Sequence, residues 1–207
     1  MIETSTLWLP LKNQLKVKGG TGNPFIIIGI LNTDRARDFT PTNSLERFKG
    51  YHPTSSGAEN FLQFLTQELR IKINNTYRTS GNNMLLGHSF GGLFTMYTFI
   101  HHTQAFDAYI AHDPSFWWNN DVLFKDCAKR WSAIDADGKT LYVSMASNSE
   151  EQIDANLHST TMKFCTDYLN KQLLSGLRTK SVVFKNENHG SIVLPASLGT
   201  IRFVFGR

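Results

Sequence analysis

The sequence is poor in cysteine and has no long apolar run. Its two cysteines, Cys127 and Cys165, show no CxxC spacing and no histidine at metal-ligand separation, so no zinc site is predicted. No apolar stretch approaches the roughly 20 residues that span a bilayer. Residues 1–10 include Glu3 and lack the basic and apolar regions of a secretory signal. These absences predict a soluble protein without membrane partners or an export signal in this chain, and they leave its compartment open.

Clustered positive charge is also missing. The formal net charge is +4, from 21 lysines and arginines against 17 aspartates and glutamates, and the basic residues are scattered. Nucleic-acid-binding proteins usually concentrate such residues on one stripe, so no nucleic-acid partner is expected. What the chain does have is a globular composition, with 41% hydrophobic residues and 15 phenylalanines. Its 207 residues fit one domain, which we place at 1–207.

Short apolar stretches alternate with helix-like segments. Strands are predicted at 25–30, 84–87, 108–111, 141–146 and 181–185. Helices are predicted over 56–74, 93–101, 122–131, 157–174 and beyond 194, the first opened by a capping box of Ser56 and Glu59. Such alternation indicates parallel strands joined by crossovers. The predicted fold class is therefore α/β, with an open, mostly parallel sheet flanked by helices.

A nucleophile motif lies between the second predicted strand and the following helix. Residues 87–91 read Gly-His-Ser-Phe-Gly, a match to G-x-S-x-G. The glycines allow strand and helix to approach closely around a strained serine, and the helix presents N–H groups to a developing oxyanion. We therefore interpret Ser89 as a nucleophile and the N–H of Phe90 as an oxyanion donor. His88, inside this turn, is expected to pack or to orient a loop beside the substrate.

A serine hydroxyl is a weak nucleophile and needs a base to take its proton. In hydrolases that carry this motif, the catalytic residues follow one another along the chain in the order serine, acid, histidine. His189 follows the last predicted strand in the loop Asn-His-Gly-Ser, so it is the candidate base. The acid is expected after the strand at 141–146. Glu150 is preferred there, followed by Glu151 and then Asp154, with Glu187 as an outside candidate and a serine–histidine pair without an acid as another alternative.

Four stretches resemble the esterase D-like esterases of the α/β-hydrolase class, especially those that hydrolyse siderophore trilactones. They are GILNTDRARDFTPT (29–42), GHSFGGLF (87–94), HDPSFWWNN (112–120) and NHGSIVLPASLGTIRFVF (188–205). The resemblance implies Ser89 and His189 as the catalytic pair. It also implies that Arg37, with Arg35, faces the substrate, and that Trp117 and Trp118 form an aromatic wall beside it.

The sequence departs from the family pattern at the N-terminus. Family members carry further strands before the one at 25–30, including one that supplies a second oxyanion donor. We expect those strands to be missing here. Residues 6–11 (TLWLPL) are one candidate substitute and read equally well as the start of a helix; pairing with a second copy and a truncated gene product are the alternatives. An uncovered strand edge would favour a homodimer.

Together these features predict a serine esterase that hydrolyses siderophore-like or small acyl esters through an acyl-enzyme. No metal and no organic cofactor are expected, and the partner is a small-molecule ester. Two alternatives use the same residues: a catalytically weak or inactive binding protein of this fold, and an acyltransferase.

Overall fold

The fold is built on a parallel sheet. The computed structural model describes residues 25–31, 33–46, 49–147, 160–171 and 174–205. Its four strands lie in the order β1-β2-β3-β4, and each pairs in parallel with its neighbour. Their bounds are Met84–His88 for β1, Ala108–His112 for β2, Thr140–Ala146 for β3 and Arg178–Phe184 for β4. The strands predicted at 84–87, 108–111, 141–146 and 181–185 are thus confirmed.

Helices connect and flank these strands. They are α1 (Arg35–Phe39), α2 (Ala58–Gln63), α3 (Arg70–Thr76), α4 (Phe90–His101), α5 (Trp118–Arg130) and α6 (Val193–Phe205). A π-helical turn, Phe64–Leu69, joins α2 to α3, and another, Cys165–Leu169, continues a helical stretch at 160–164. Short 3-10 turns lie at Thr103–Ala105 and Trp131–Ala133. Within the described ranges, none of these helices combines the length and apolar character that a membrane crossing requires.

The start of α2 differs from the prediction. Gly57, and not Ser56, is its N-cap residue, and no side chain caps the helix. The carboxylate of Glu59 instead accepts a hydrogen bond from the Tyr97 hydroxyl at 2.8 Å. The predicted capping box is therefore wrong, because Glu59 is drawn toward α4 rather than back to the helix start.

The strand predicted at 25–30 is also wrong, since these residues lie outside any helix or strand. The Phe25 ring stacks on Phe205 at a centroid distance of 5.2 Å, while Ile27 is 60% exposed. An apolar run becomes a strand only beside a partner strand, and in the described part of the chain the sheet ends at β1 on this side. Residues 6–11, considered as a substitute strand, lie outside the described residues.

The two faces of the sheet carry different helices. On one face Tyr109, Leu141 and Val143 join the main hydrophobic core beneath α4. On the other face α6 packs on β2 and β3, and the Tyr142 ring lies 5.7 Å from that of Phe203. Strand register sets His88, His112 and Ser144 side by side on this second face, at the carboxyl ends of β1, β2 and β3. Polar groups of three strands therefore meet at one edge of the sheet.

Candidate active site

Ser89 occupies a strained turn between β1 and α4. Its backbone has φ 60° and ψ −120°, a left-handed combination that residues other than glycine rarely adopt. The turn is so tight that a Cβ on Gly87 would lie 2.1 Å from the carbonyl oxygen of Gly91. Gly87 is therefore required by close backbone approach, whereas a Cβ on Gly91 would meet only the Phe39 ring, at 4.0 Å. This geometry is that of a nucleophile elbow, with the serine partly exposed above the sheet.

The elbow is fastened to the end of β2. The Ser89 N–H donates to the carbonyl of His112 at 3.1 Å, and the Ser115 N–H donates to the carbonyl of Ser89 at 3.2 Å. The hydroxyl oxygens of Ser89 and Ser115 lie 3.4 Å apart. Because these bonds hold both the N–H and the carbonyl of Ser89, the surrounding structure retains its strained conformation.

His189 lies between Ser89 and a carboxylate. Its Nε2 is 3.0 Å from Ser89 Oγ, and its Nδ1 is 2.7 Å from Asp113 Oδ2. An ionised carboxylate can accept hydrogen bonds but cannot donate them. Nδ1 therefore carries the proton, and Nε2 is the basic nitrogen of the neutral tautomer. That tautomer directs the basic nitrogen at the serine hydroxyl. The structure thus brings together the two residues that the sequence nominated as nucleophile and base.

Asp113 was missed by the sequence reasoning. Its side chain is 4% exposed, and its Oδ1 accepts a hydrogen bond from the Ala146 N–H at 3.3 Å. A buried carboxylate is costly unless it is paired and hydrogen-bonded, and this one is both. The available signal was its position directly after β2, which ends at His112, whereas the sequence analysis expected the acid after the strand at 141–146.

Among the described residues, the carboxylate at His189 Nδ1 is that of Asp113. Glu150, Glu151 and Asp154 lie outside the described residues. The nitrogen that a triad acid would hold, His189 Nδ1, is bonded to Asp113. Glu187 lies at the start of the His189 loop, where its N–H donates to the carbonyl of Phe184 at 3.3 Å.

The N-terminus of α4 faces the nucleophile. Phe90 is the first helical residue, and Ser89 is the N-cap. The first four N–H groups of a helix have no partner within it, and the helix dipole adds positive potential at this end. The N–H of Phe90 is therefore placed to stabilise negative charge that develops beside Ser89.

The two arginines of α1 have different surroundings. Arg37 Nε donates to Asp38 Oδ1 at 2.7 Å, and its carbonyl accepts from the Gly57 N–H at 2.8 Å. Arg35 lies over the Phe39 ring at 5.2 Å, and its charge is among the influences that lower the pKa of His88, after burial and His189. Arg37 thus braces its loop, whereas the charge of Arg35 acts on His88.

The adjacent tryptophans also differ. Trp118 is 1% exposed, and its indole N–H donates to the carbonyl of Thr42 at 3.2 Å. Trp117 is partly exposed, with its ring 6.0 Å from that of Phe90. The predicted aromatic wall is therefore wrong for Trp118, whose burial in the core leaves no surface for a substrate. For Trp117, which is partly exposed, it stays a prediction.

Two further histidines lie beside the site and favour the neutral form. His88 Nε2 lies 2.8 Å from the carbonyl oxygen of His189, and burial lowers the pKa of His88. His112 is fully buried, with Nδ1 2.8 Å from Ser144 Oγ, and burial lowers its pKa to about 4. Over the described ranges, no group of three or more histidine, cysteine or acidic side chains could hold a metal ion. The groups available for chemistry are therefore a serine hydroxyl, an imidazole and a buried carboxylate.

Residues 9–189 match the esterase family described as "Putative esterase". The chain is 28% identical over 170 residues to the siderophore enterobactin esterase of Emericella nidulans, covering 72% of this chain and 56% of that protein. It is also 28% identical over 193 residues to the ferri-bacillibactin esterase BesA of Bacillus subtilis, covering 87% of this chain and 67% of that protein.

A solved structure gives the same picture of the fold. An IroE-like serine hydrolase from Shewanella oneidensis superposes with a TM-score of 0.80 at 32% identity, covering 87% of this chain and 59% of that one. The parallel sheet flanked by helices is thus an α/β-hydrolase fold, as the sequence predicted. The chain spans between 56% and 67% of the length of these relatives.

Proposed function

We propose that this chain, which belongs to that esterase family, hydrolyses carboxylic esters with Ser89 as nucleophile, His189 as general base and Asp113 as the acid that orients it. The observation that carries the proposal is the continuous chain of contacts from Ser89 Oγ to His189 Nε2 at 3.0 Å and from His189 Nδ1 to Asp113 Oδ2 at 2.7 Å. Both distances are within hydrogen-bonding range, which a nucleophile and its base require.

In the first half-reaction Ser89 Oγ attacks the ester carbonyl carbon while its proton passes to His189 Nε2. The carbonyl oxygen becomes an oxyanion near the N–H of Phe90, at the N-terminus of α4. The tetrahedral intermediate then collapses, the bond to the alcohol oxygen breaks, and His189 returns the proton to that oxygen. The products are a free alcohol and an ester between the acyl group and Ser89.

In the second half-reaction water replaces the alcohol. His189 takes a proton from water as the water oxygen attacks the acyl carbon, and it then protonates Ser89 Oγ as that oxygen leaves. Asp113 stays ionised throughout, stabilises the imidazolium and fixes the Nδ1–H tautomer. The carboxylic acid is released and the resting site is restored.

The surroundings of Ser89 suggest a substrate with planar or aromatic groups that carry negative charge. Trp117 and Phe90 present partly exposed rings beside the nucleophile. Arg35 is exposed, and its positive charge acts on His88. Relatives are named as esterases of enterobactin and of ferri-bacillibactin. We therefore place the substrate of this chain among siderophore-type esters, with small acyl esters as practical test substrates.

Steady-state hydrolysis of p-nitrophenyl acetate and butyrate tests this function. Wild type should turn over both esters, and Ser89→Ala and His189→Ala should each reduce kcat by roughly 10⁴-fold or more. A trilactone siderophore, followed by chromatography of its opened products, then tests the substrate class. A folded wild-type protein with no turnover above buffer would contradict the esterase function, whereas turnover of the p-nitrophenyl esters alone would restrict it to small esters.

A further inference from the structure

His88 lies directly against His189. It is the last residue of β1 and immediately precedes Ser89. The two imidazole rings have centroids 4.6 Å apart, and His88 Nε2 is 2.8 Å from the carbonyl oxygen of His189. A carbonyl oxygen can only accept, so His88 Nε2 is the donor and carries a proton. His88 therefore contacts the main chain of the proposed base through its own side chain.

That contact joins the His189 loop to the strand that carries Ser89. Several other hydrogen bonds of this loop close on the loop itself: the N–H groups of Gly190 and Ser191 donate to Asn188 Oδ1, and the N–H of Ile192 donates to the carbonyl of Asn188. The bond from His88 instead links the loop main chain to β1. One strand thus sets the position of Ser89 and, through His88, the position of the residue that must reach it.

The charge state of His88 suits this task. Burial lowers its pKa first, and electrostatic interactions with His189 and Arg35 lower it further, against the opposing effects of its bond to His189 and of Asp113. On the neighbouring strand His112, with a pKa of about 4, is neutral as well. His189 gains a positive charge when it takes the serine proton. A neutral donor can hold the His189 carbonyl without repelling that charge, whereas an ammonium or guanidinium could not.

We propose that His88 is a positioning residue, which holds the main chain of His189 through its Nε2–H so that the base stays in reach of Ser89. This inference rests on the proposed function for its effect on turnover, but the contact itself does not. The role differs from substrate binding, since a residue that binds only substrate would change KM. Loss of the contact should lower kcat, because a misplacement of about 1 Å can cost on the order of 10²-fold.

The test compares two substitutions. His88→Gln keeps an N–H donor near the position of Nε2, and His88→Leu removes it. We expect kcat to fall roughly 10- to 100-fold in His88→Leu with KM within about threefold, and to stay within about fivefold of wild type in His88→Gln. His101→Gln and His101→Leu are the matched controls, because His101 is a partly buried histidine at the far end of α4 and should show no such difference. Equal kcat in wild type and His88→Leu, or a change confined to KM, would overturn the proposal.

A measurement without substrate separates this proposal from the esterase function. In nitrogen-15 NMR of the wild-type protein, His88 should be the Nε2–H tautomer, and the His189 ring signals should shift in His88→Leu but not in His101→Leu. The Nδ1–H tautomer at His88 would contradict the contact even if the leucine variant failed to fold. Conversely, an inactive wild type with the Nε2–H tautomer would refute the function and leave the contact standing.

Discussion

The two ends of helix α4 carry a hydroxyl, a histidine and a carboxylate, but in different orders. At the N-terminal end His189 stands between the Ser89 hydroxyl, at 3.0 Å, and Asp113, at 2.7 Å. At the C-terminal end Glu59 stands between the other two groups. Its Oε2 accepts from the Tyr97 hydroxyl at 2.8 Å and lies 2.9 Å from His102 Nε2.

The order of the three groups decides what each end can do. A histidine in the middle can take the hydroxyl proton and keep its tautomer fixed by the carboxylate. At the other end the hydroxyl keeps its proton. Burial raises the pKa of Tyr97, and the hydrogen bond to the Glu59 carboxylate raises it further. The helix adds to this contrast, since its N-terminus favours an oxyanion and its C-terminus does not. A histidine–carboxylate pair is therefore insufficient for catalysis by itself.

The sharpest way to break this comparison is the same isosteric change at both ends. Asp113→Asn should lower kcat for p-nitrophenyl butyrate roughly 10³- to 10⁴-fold, because the amide no longer fixes the Nδ1–H tautomer of His189. Glu59→Gln is the matched control and should leave kcat within about twofold, since its group is remote from the reacting atoms. Steady-state kinetics of the two variants would contradict the assignment if Asp113→Asn retained a tenth or more of wild-type activity.

A second prediction concerns His112, the buried histidine at the end of β2 beside the candidate site. Burial, with a smaller contribution from His88, lowers the pKa of His112 to about 4 in the folded protein, whereas an unfolded histidine has a pKa of about 6.5. As the pH falls below the unfolded value, only the unfolded chain takes up this proton, so the free energy of unfolding decreases. The loss should reach about 3 kcal/mol near pH 4.

Urea denaturation at pH 7, 6, 5 and 4.5 measures this effect. In His112→Asn the fall in unfolding free energy with decreasing pH should be smaller than in wild type. An identical pH dependence in wild type and His112→Asn would show that His112 is not the group responsible.

The smallest predicted effect lies at the other end of α4. Burial tends to raise the pKa of Glu59, but hydrogen bonds from Tyr97 and the charge of His102 outweigh it, so the net pKa is lowered. The stabilisation is therefore present above the unfolded pKa of about 4.3 and is lost as the pH falls through the lower folded value. Its side chain is 47% exposed, so Glu59→Gln should cost less than about 1 kcal/mol at pH 7.

Thermal or urea unfolding of Glu59→Gln at pH 7 and pH 3.5 checks this prediction. The difference from wild type should shrink at the lower pH. Tyr97→Phe provides the control, since it removes one hydrogen bond while leaving the charge of Glu59. A constant difference across this pH range would show that the ionised form of Glu59 contributes nothing to stability.

The site at the N-terminal end of α4 was partly predictable because the turn around its serine is encoded locally. Gly87 and Gly91 flank Ser89 within one turn, and the pattern of an apolar strand before it and a helix after it needs no distant residue. His189 was found by its place after the last strand. The meeting of Ser89 and His189 in space follows from the order of strands and loops.

The acid was not predictable in the same way. Asp113 and His189 are 76 positions apart, and no local pattern distinguishes this carboxylate from the others after the strands. The choice depends on which strand end lies beneath the histidine loop. The run at 25–30 failed as a strand for a related reason, since pairing depends on a neighbour that its own residues do not specify.

The sequence also could not predict which of two adjacent tryptophans is buried. Trp117 and Trp118 have the same chemistry, but only Trp118 is turned inward at the start of α5, where its N–H meets Thr42. Composition and spacing cannot separate two identical neighbours; the direction of the chain entering the helix does.

The most direct test of the central claim is the reaction of the intact protein with an organophosphonate, followed by mass spectrometry and peptide mapping. The account predicts one adduct, on Ser89, formed quickly in wild type and in Tyr97→Phe and at least roughly 10³-fold more slowly in His189→Ala. Absence of an adduct on Ser89, or an equal rate of labelling in wild type and His189→Ala, would show that Ser89 is not activated by His189 and would contradict the account.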